Sequence, residues 1–381
     1  MTPGARLAAA ISVLDRVLAG EPAEKALTNW GRASRFAGSG DRAAVRDLVF
    51  DALRRRRSAA ALGGGLTGRG LVLGLCRATA QEALFSGEGH APAPPGPQDA
   101  GRAPDDAERL DLPDWLLPEL GASLGPDLAA VAEASRLRAP VFLRVNTGKT
   151  DAAGAIAALA GDGIAATPHP LAASALEVRE NARKLQTSQA YLSGLVELQD
   201  ASSQAVVEAL PLADGMMVLD HCAGGGGKTL AMPARAKLQL HAHDANPKRM
   251  NDLPERARRA GVKVTLTERP EASAPYDLVL VDAPCSGSGS WRRDPEGKWR
   301  LTPESLAATV ATQAAILDRV APMVRKGGVL AYATCSLLDR ENGDQVRDFL
   351  ARAPGWTLAS ELRLTPLQGG DGFYLAILRI I

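Results

Sequence analysis

Cysteine, histidine, aromatic residues and net charge are all scarce in this 381-residue chain, and each scarcity narrows its chemistry. Cys76, Cys222, Cys285 and Cys335 stand far apart with no CxxC pair, which excludes a zinc ribbon or a dithiol redox centre and leaves free thiols suited to a reducing compartment. Five histidines supply no metal-ligand spacing, so no metal is expected. No run of about 18 apolar residues exists to span a bilayer, and the N-terminus lacks a basic segment followed by an apolar one and a cleavage site. The expectation is a cytoplasmic protein with no membrane partner. A formal net charge of +1 means that a nucleic-acid partner would be held by a local basic face, not by a basic total.

What is present reads as several domains, since the length exceeds one ordinary core and 46% of residues are hydrophobic. Residues 1–139 are expected to be all-α: Leu7, Ile11, Leu14 and Leu18 recur at helical spacing, as do Val45, Leu48, Val49 and Leu53. Arg32, Arg35, Arg42, Arg46 and the run Arg54, Arg55, Arg56, Arg57 make this part basic, either as solvated helix ends or as an RNA contact. Cys76 sits in an apolar helical stretch and reads as core. Residues 86–107, rich in Gly, Pro, Ala and acid, read as a flexible linker. Helical pattern resumes over 112–138, where Pro113 suits a helix start and Trp115, Leu116 and Leu120 face the core. Residues 140–193 form a small α/β module, with strands at 141–145 and 175–178 around a helix at 151–160. From 194 to 381, strand patterns at 216–219, 238–243, 262–266, 278–281, 328–334 and 373–378 alternate with helical ones. Such alternation predicts a doubly wound, largely parallel sheet with its ligand at the carboxyl ends of the strands.

Directly after the first of those strands stands Asp220-His221-Cys222-Ala223-Gly224-Gly225-Gly226-Gly227-Lys228-Thr229, followed by an apolar helix pattern. Glycines there let backbone amides approach a ligand at a helix start. Gly-Lys-Thr suggests a nucleotide-binding P-loop, but that motif needs glycine five residues before Gly227, and Cys222 stands there. The competing explanation is a Rossmann-like methyltransferase loop for the methionine part of S-adenosylmethionine, with Asp244, ending the second strand roughly 20 residues on, for the ribose hydroxyls. A glycine turn without a ligand is the plain alternative.

Two further strands end in cysteines: 278–281 runs into Asp282-Ala283-Pro284-Cys285-Ser286, and 328–334 into Cys335-Ser336. A buried structural thiol is the usual role of one cysteine. Two on one ligand-binding edge, each followed by Ser, suggest nucleophilic chemistry. Methyl transfer to C5 of a pyrimidine needs it, because C5 is a poor nucleophile until a thiolate adds to C6; a base then removes the C5 proton and the thiolate leaves. A thiol with a pKa of about 8.5 is only a few per cent ionised at neutral pH, so nearby positive charge is expected, with Lys228 the candidate.

On the motifs DHCAGGGGKT, HAHDAN, DLVLVDAPCSGSGSWRRDPEGKW, ATCSLLDREN and DGFYLAIL, the stretch 194–381 resembles the RsmB/Sun family of RNA (cytosine-5) methyltransferases, in its ribosomal RNA branch. The resemblance implies that Cys335 is the nucleophile and that Cys285 assists release of RNA from the covalent adduct. It implies that Asp282 and Lys228 approach the base or cofactor, that residues 222–228 and Asp244 hold S-adenosylmethionine, and that Gln199-Asp200-Ala201-Ser202-Ser203 leads into the catalytic domain. The family pattern has Ala-Pro where this chain has Gly224-Gly225, and Glu268 is the candidate acid near the adenine. The first domain is similar to the family's NusB-like helical RNA-binding region, best matched between Gly40-Asp41-Arg42 and Arg54. The middle module, with Leu143-Arg144-Val145-Asn146, is similar to the small domain preceding its catalytic fold.

The fold class implied is α/β, a Rossmann-like methyltransferase domain preceded by an all-α domain and the small module. The partner implied is RNA, ribosomal RNA of the small subunit, bound by a monomer. Rival readings are a transfer RNA cytosine-5 methyltransferase, a non-catalytic RNA-binding ribosome assembly factor, and a P-loop ATPase. A stacked base hides C5 and C6, so the target is expected to be single-stranded or flipped out. Trp291, Arg292, Arg293, Lys298, Trp299 and Arg300 form a basic, aromatic cluster suited to phosphates and bases, or else a charged surface loop; the low aromatic content, 4%, makes the pair of tryptophans notable. Arg256, Arg258 and Arg259 are expected on a solvated helix face.

Overall fold

The computed structural model describes residues 1–381. The chain divides into two compact units: Met1–Gly121, Gly125–Arg138 and Trp291–Arg300 form one, and Ala122–Leu124, Ala139–Ser290 and Leu301–Ile381 the other. No single helix is long and apolar enough to cross a membrane.

The first unit is helical, with its main helices at Pro3–Leu18, Ala23–Ala33, Ser39–Arg54, Arg56–Gly63 and Gly68–Ala78. The periodic residues Leu7, Leu14, Val45, Val49 and Leu53 meet Leu71, Val72 and Cys76 in one core. The last two helices pack backbone to backbone; a Cβ on Gly74 would lie 1.9 Å from the carbonyl oxygen of Ala59, so no side chain fits there. Residues 86–107, expected as a linker, are pinned to this unit by polar contacts. Buried Asp99 pairs with Arg69 at 2.9 Å, and Arg77 donates to the carbonyls of Asp99 and Leu62 at 2.7 and 2.8 Å. Composition shows the shortage of apolar side chains there but not the arginines that compensate.

Trp291–Arg300 also belongs to this unit, which corrects its reading as an RNA-facing cluster. Trp291, Arg292 and Lys298 are buried, Nε1 of Trp299 donates to the Leu53 carbonyl at 2.7 Å, and Nζ of Lys298 donates to the Arg54 carbonyl at 3.2 Å. Arg54 in turn donates to the Arg292 carbonyl, and Arg56 covers the Trp299 ring. Basic residues and tryptophans produce the same sequence pattern whether they face RNA or lock into helix ends. Burial pushes Lys298 down to about 7. Of the cluster, Arg293 and Arg300 are exposed, as are Arg32, Arg42 and Arg46 on the helices and Arg35 in the turn between two of them.

The second unit holds two sheets. The small one contains β1 (Val141–Val145), β2 (Ala165–Pro168), β3 (Ala175–Glu180) and β4 (Val196–Leu198), antiparallel throughout in the order β2-β3-β1-β4. The helix Ala152–Gly161 packs on it, capped by Asp151, whose side chain accepts from the Gly154 amide. The large sheet contains β5 (Met217–Asp220), β6 (Gln239–Ala242), β7 (Thr265–Leu266), β8 (Tyr276–Asp282), β9 (Val324–Thr334), β10 (Trp356–Leu364) and β11 (Phe373–Ile380). Its order is β10-β11-β9-β8-β5-β6-β7, with β5 to β9 parallel and β10 and β11 antiparallel at one side. This is the expected Rossmann-like α/β sheet. The strand order reverses between β5 and β8, so the crevice for a ligand lies where both end, at Asp220 and Asp282.

Two local expectations differ. The chain after the glycine loop forms only the short 3-10 turn Met232–Ala234, because Pro233 lacks an N–H and its ring disfavours a helical residue before it. Strand β10 escaped the pattern because it is a mostly exposed edge strand whose apolar alternation, Trp356, Leu358, Leu362 and Leu364, is broken at Ser360, where the register shifts.

Candidate active site

The loops that follow β5, β6, β8 and β9 meet at the carboxyl edge of the large sheet. Asp220 ends β5 and accepts from Oγ1 of Thr229 at 2.6 Å, while its other oxygen is buried without a partner. Burial pushes its carboxyl up to about 7. The loop then folds back on the end of β6: the Ala223 amide donates to the His243 carbonyl at 2.9 Å, and the Gly224 amide to Oδ2 of Asp244 at 3.0 Å. Asp244 is buried, accepts also from the Asn246 amide at 2.9 Å, and pairs with Arg249 at 3.2 Å. Gly224 and Gly226 take positive φ values of +50° and +77°, conformations that side chains resist.

Two arginines hold the carbonyls of the same loop. Arg144 from β1 donates to the Gly227 oxygen at 2.7 Å and to Gln199, and Arg256 donates to the Gly225 oxygen. Arg256 and Arg259 both pair with Glu197 on β4, so of the three arginines expected on a solvated helix face only Arg258 is exposed. The spacing Arg256, Arg259 also fits a buried stripe, which the charges concealed.

Lys228 closes the loop. Its Nζ donates to Oδ2 of Asp282 at 2.6 Å and lies 4.7 Å from the centre of the Phe373 ring. Burial pushes the ammonium down, but the Asp282 carboxylate, with contributions from Cys335 and Asp220, outweighs it and the pKa ends above its ordinary value. Lys228 is therefore a fixed positive charge. Cys222 lies among Asp220, Asp282 and Asp244, and burial together with these carboxylates pushes its thiol up.

Cys285 and Cys335 approach each other, Sγ to Sγ, at 3.3 Å. The Cys285 thiol is held well above the ordinary value, first by its hydrogen bond to Cys335, then by burial and by the charges of Cys335 and Glu341. Cys222 to Lys228, Asp244, Asp282, Cys285 and Cys335 thus share one edge. Glu268 is exposed just after β7, following Thr267, whose amide donates to the Ala242 carbonyl at 2.9 Å and whose carbonyl lies 3.0 Å from Nδ1 of His243, next to Asp244. Sequence reasoning missed Asp220, whose position was legible in the motif, and Glu341, Gln313 and Ser288, which carry no local pattern.

Residues 207–379 match the family model "16S rRNA methyltransferase RsmB/F", and residues 112–184 match the ferredoxin-like domain of RsmF/B-like methyltransferases. The chain belongs to the RsmB/F methyltransferase family. Ribosomal RNA small subunit methyltransferase B of Citrobacter koseri is 33% identical over 280 residues, which cover 69% of this chain. The match spans 65% of that relative's length. Among solved structures, PH0851 is 21% identical with a TM-score of 0.76 over 100% of this chain and 99% of its own. A methyltransferase homolog protein from Pyrococcus horikoshii is 24% identical with a TM-score of 0.62, covering 72% of this chain and 97% of its own. Both likenesses concern the fold. With Gly224-Gly225 where the resemblance led to the expectation of Ala-Pro, the loop 222–228 closes on Asp244.

Proposed function

We propose that this chain is an S-adenosylmethionine-dependent RNA methyltransferase that methylates C5 of a cytosine in small-subunit ribosomal RNA, with Cys335 as nucleophile. The observation that carries the reading is the pair of thiols 3.3 Å apart beside the ion pair of Lys228 and Asp282. A methyltransferase acting on an exocyclic amine has no use for two adjacent thiols, whereas C5 chemistry uses one to add to C6 across the C5–C6 double bond and another group to help restore that bond.

The residues present fit the cofactor. The loop 222–228 is stripped of side chains where it turns, Asp244 is anchored at the end of β6, and the unpartnered oxygen of buried Asp220 suits a ligand bearing positive charge. S-adenosylmethionine bound there supplies an electrophilic methyl group. Asp244 and the Gly224 amide, already bonded to each other, orient the ribose side of the loop. In this reading the Cys335 thiolate forms a bond to C6 and leaves the displaced electron pair on C5. After C5 is methylated, its proton is lost to a base, the C5–H electrons restore the C5–C6 double bond, and the bond to Cys335 breaks. Cys285, in contact with Cys335, serves the release step. Lys228 is a fixed cation beside the thiolate and is committed to Asp282, which weighs against a P-loop role for it.

Purified Cys335→Ala protein incubated with small-subunit ribosomal RNA, transfer RNA and labelled cofactor tests the proposal. Loss of 5-methylcytosine with either RNA supports the nucleophile, and labelling of transfer RNA alone by the parent protein would replace the substrate. Undiminished 5-methylcytosine formation in the variant sinks the assignment.

A further inference from the structure

Both thiol-bearing loops are tied to one buried acid. Glu341, in the 3-10 turn Asp339–Glu341 after β9, is fully buried. Its Oε1 accepts from the Ser286 amide at 2.8 Å and from Nε2 of Gln313 at 3.1 Å. Its Oε2 accepts from the hydroxyls of Ser286 and Ser336, each at 2.5 Å. Ser286 and Ser336 directly follow Cys285 and Cys335. Four donors converge on a group that has only acceptors when ionised, so its two oxygens are occupied from both thiol-bearing loops at once. Gln313 also donates to the Pro284 carbonyl at 2.9 Å, and Ser288 bridges Ser336 and the Leu337 amide, so the acid sits at the centre of a network spanning the ends of β8 and β9.

We propose that Glu341 is a positioning residue that fixes the two thiols in contact and divides their roles, keeping the proton on Cys285 and directing it at Cys335. The proposal rests on the reading of the pair as working thiols, but not on the identity of the substrate. The charges facing the pair are asymmetric. Cys285 faces the Glu341 carboxylate and the phenol of Tyr332, whose hydroxyl donates to the Glu341 backbone oxygen at 2.7 Å; Cys335 faces Lys228, itself paired with Asp282. An anion beside Cys285 opposes a second anion there, while a cation beside Cys335 favours one. In the 3.3 Å contact Cys285 is then the donor and Cys335 the acceptor. Removing the Glu341 charge lifts the penalty on Cys285 without touching either thiol.

The test needs neither RNA nor cofactor: iodoacetamide labelling of the folded full chain, resolved by residue with mass spectrometry across the thiol titration range. In the parent protein Cys335 is expected to react at least roughly tenfold faster than Cys285 near neutral pH. In Glu341→Gln, which keeps the volume, the preference is expected to fall below about threefold, with the pH at which Cys285 becomes reactive moving downward. A general loss of packing would expose both thiols alike and would not lower that pH. Ser286→Ala removes one hydroxyl contact and is expected to reduce the preference in the same direction; it decides alone if Glu341→Gln does not fold. An unchanged preference in the folded variants overturns the proposal. Because the readout is thiol reactivity, its failure is distinct from failure of the methyltransferase reading, which the Cys335→Ala assay decides.

Discussion

Nζ of Lys228 lies 2.6 Å from Oδ2 of Asp282, joining the glycine loop to the end of β8 across the point where the strand order reverses. The two partners are unequally buried, with side-chain exposures of 7% and 32%. Asp282→Asn leaves a buried ammonium without its counter-ion, a change that costs about 3 kcal/mol, the low end of the range because water reaches the site from the Asp282 side. Lys228→Met leaves a carboxylate that water can solvate and is expected to cost nearer 1 kcal/mol. Urea unfolding at neutral pH checks the order; a larger loss in Lys228→Met would overturn it.

The glycine loop contains two neighbours with different tolerances. A Cβ on Gly226 would lie 2.1 Å from Cδ1 of Leu253, which is fully buried, and its φ of +77° resists any side chain. Gly226→Ala is expected to cost about 2–4 kcal/mol from the backbone and overpacking together. A Cβ on Gly225 meets only the end of the Arg256 side chain, at 2.8 Å, with no positive φ. Gly225→Ala is expected to cost under about 1 kcal/mol. Calorimetric titration with S-adenosylmethionine should show the larger affinity loss in Gly226→Ala. Equal losses would mean that the loop conformation does not govern binding.

The sheet and its edge were legible because buried parallel strands are short apolar runs, and a residue following such a run must lie at the ligand edge. Cys285, Cys335, Asp282 and Asp244 were each found that way. The helical unit was legible from period 3.6 in Leu7, Leu14, Val45 and Val49. Glu341 was not, since an acid in the polar run Asp339-Arg340-Glu341-Asn342 looks like any solvated turn until the serines of the loops after two separate strands converge on it. Lys298 and Arg292 were misread for the opposite reason: charged residues are so seldom buried that composition assigns them to solvent. Backbone carbonyls at helix ends, such as that of Leu53, are partners that a residue pattern does not display.

Asp220 and His221 are adjacent, both buried, and displaced in opposite senses. Burial pushes Asp220 up to about 7, and burial together with the neighbouring His243 pushes His221 down to about 4. In the unfolded chain the two titrate near about 3.9 and 6.5. Across roughly pH 4 to 7, folded Asp220 keeps a proton that the unfolded chain loses, so this residue makes stability fall as pH rises. Across roughly pH 4 to 6.5 the unfolded chain holds a proton on His221 that the folded protein lacks, so this residue makes stability rise with pH. The slopes oppose each other below about pH 6.5, and above about pH 7 both vanish. Asp220→Asn should therefore unmask a stability that climbs from about pH 4 to 6.5, and His221→Gln one that declines from about pH 4 to 7. Urea midpoints measured in steps across that interval separate the two. If both variants keep the parent's pH dependence, neither group carries its displaced titration in the folded protein.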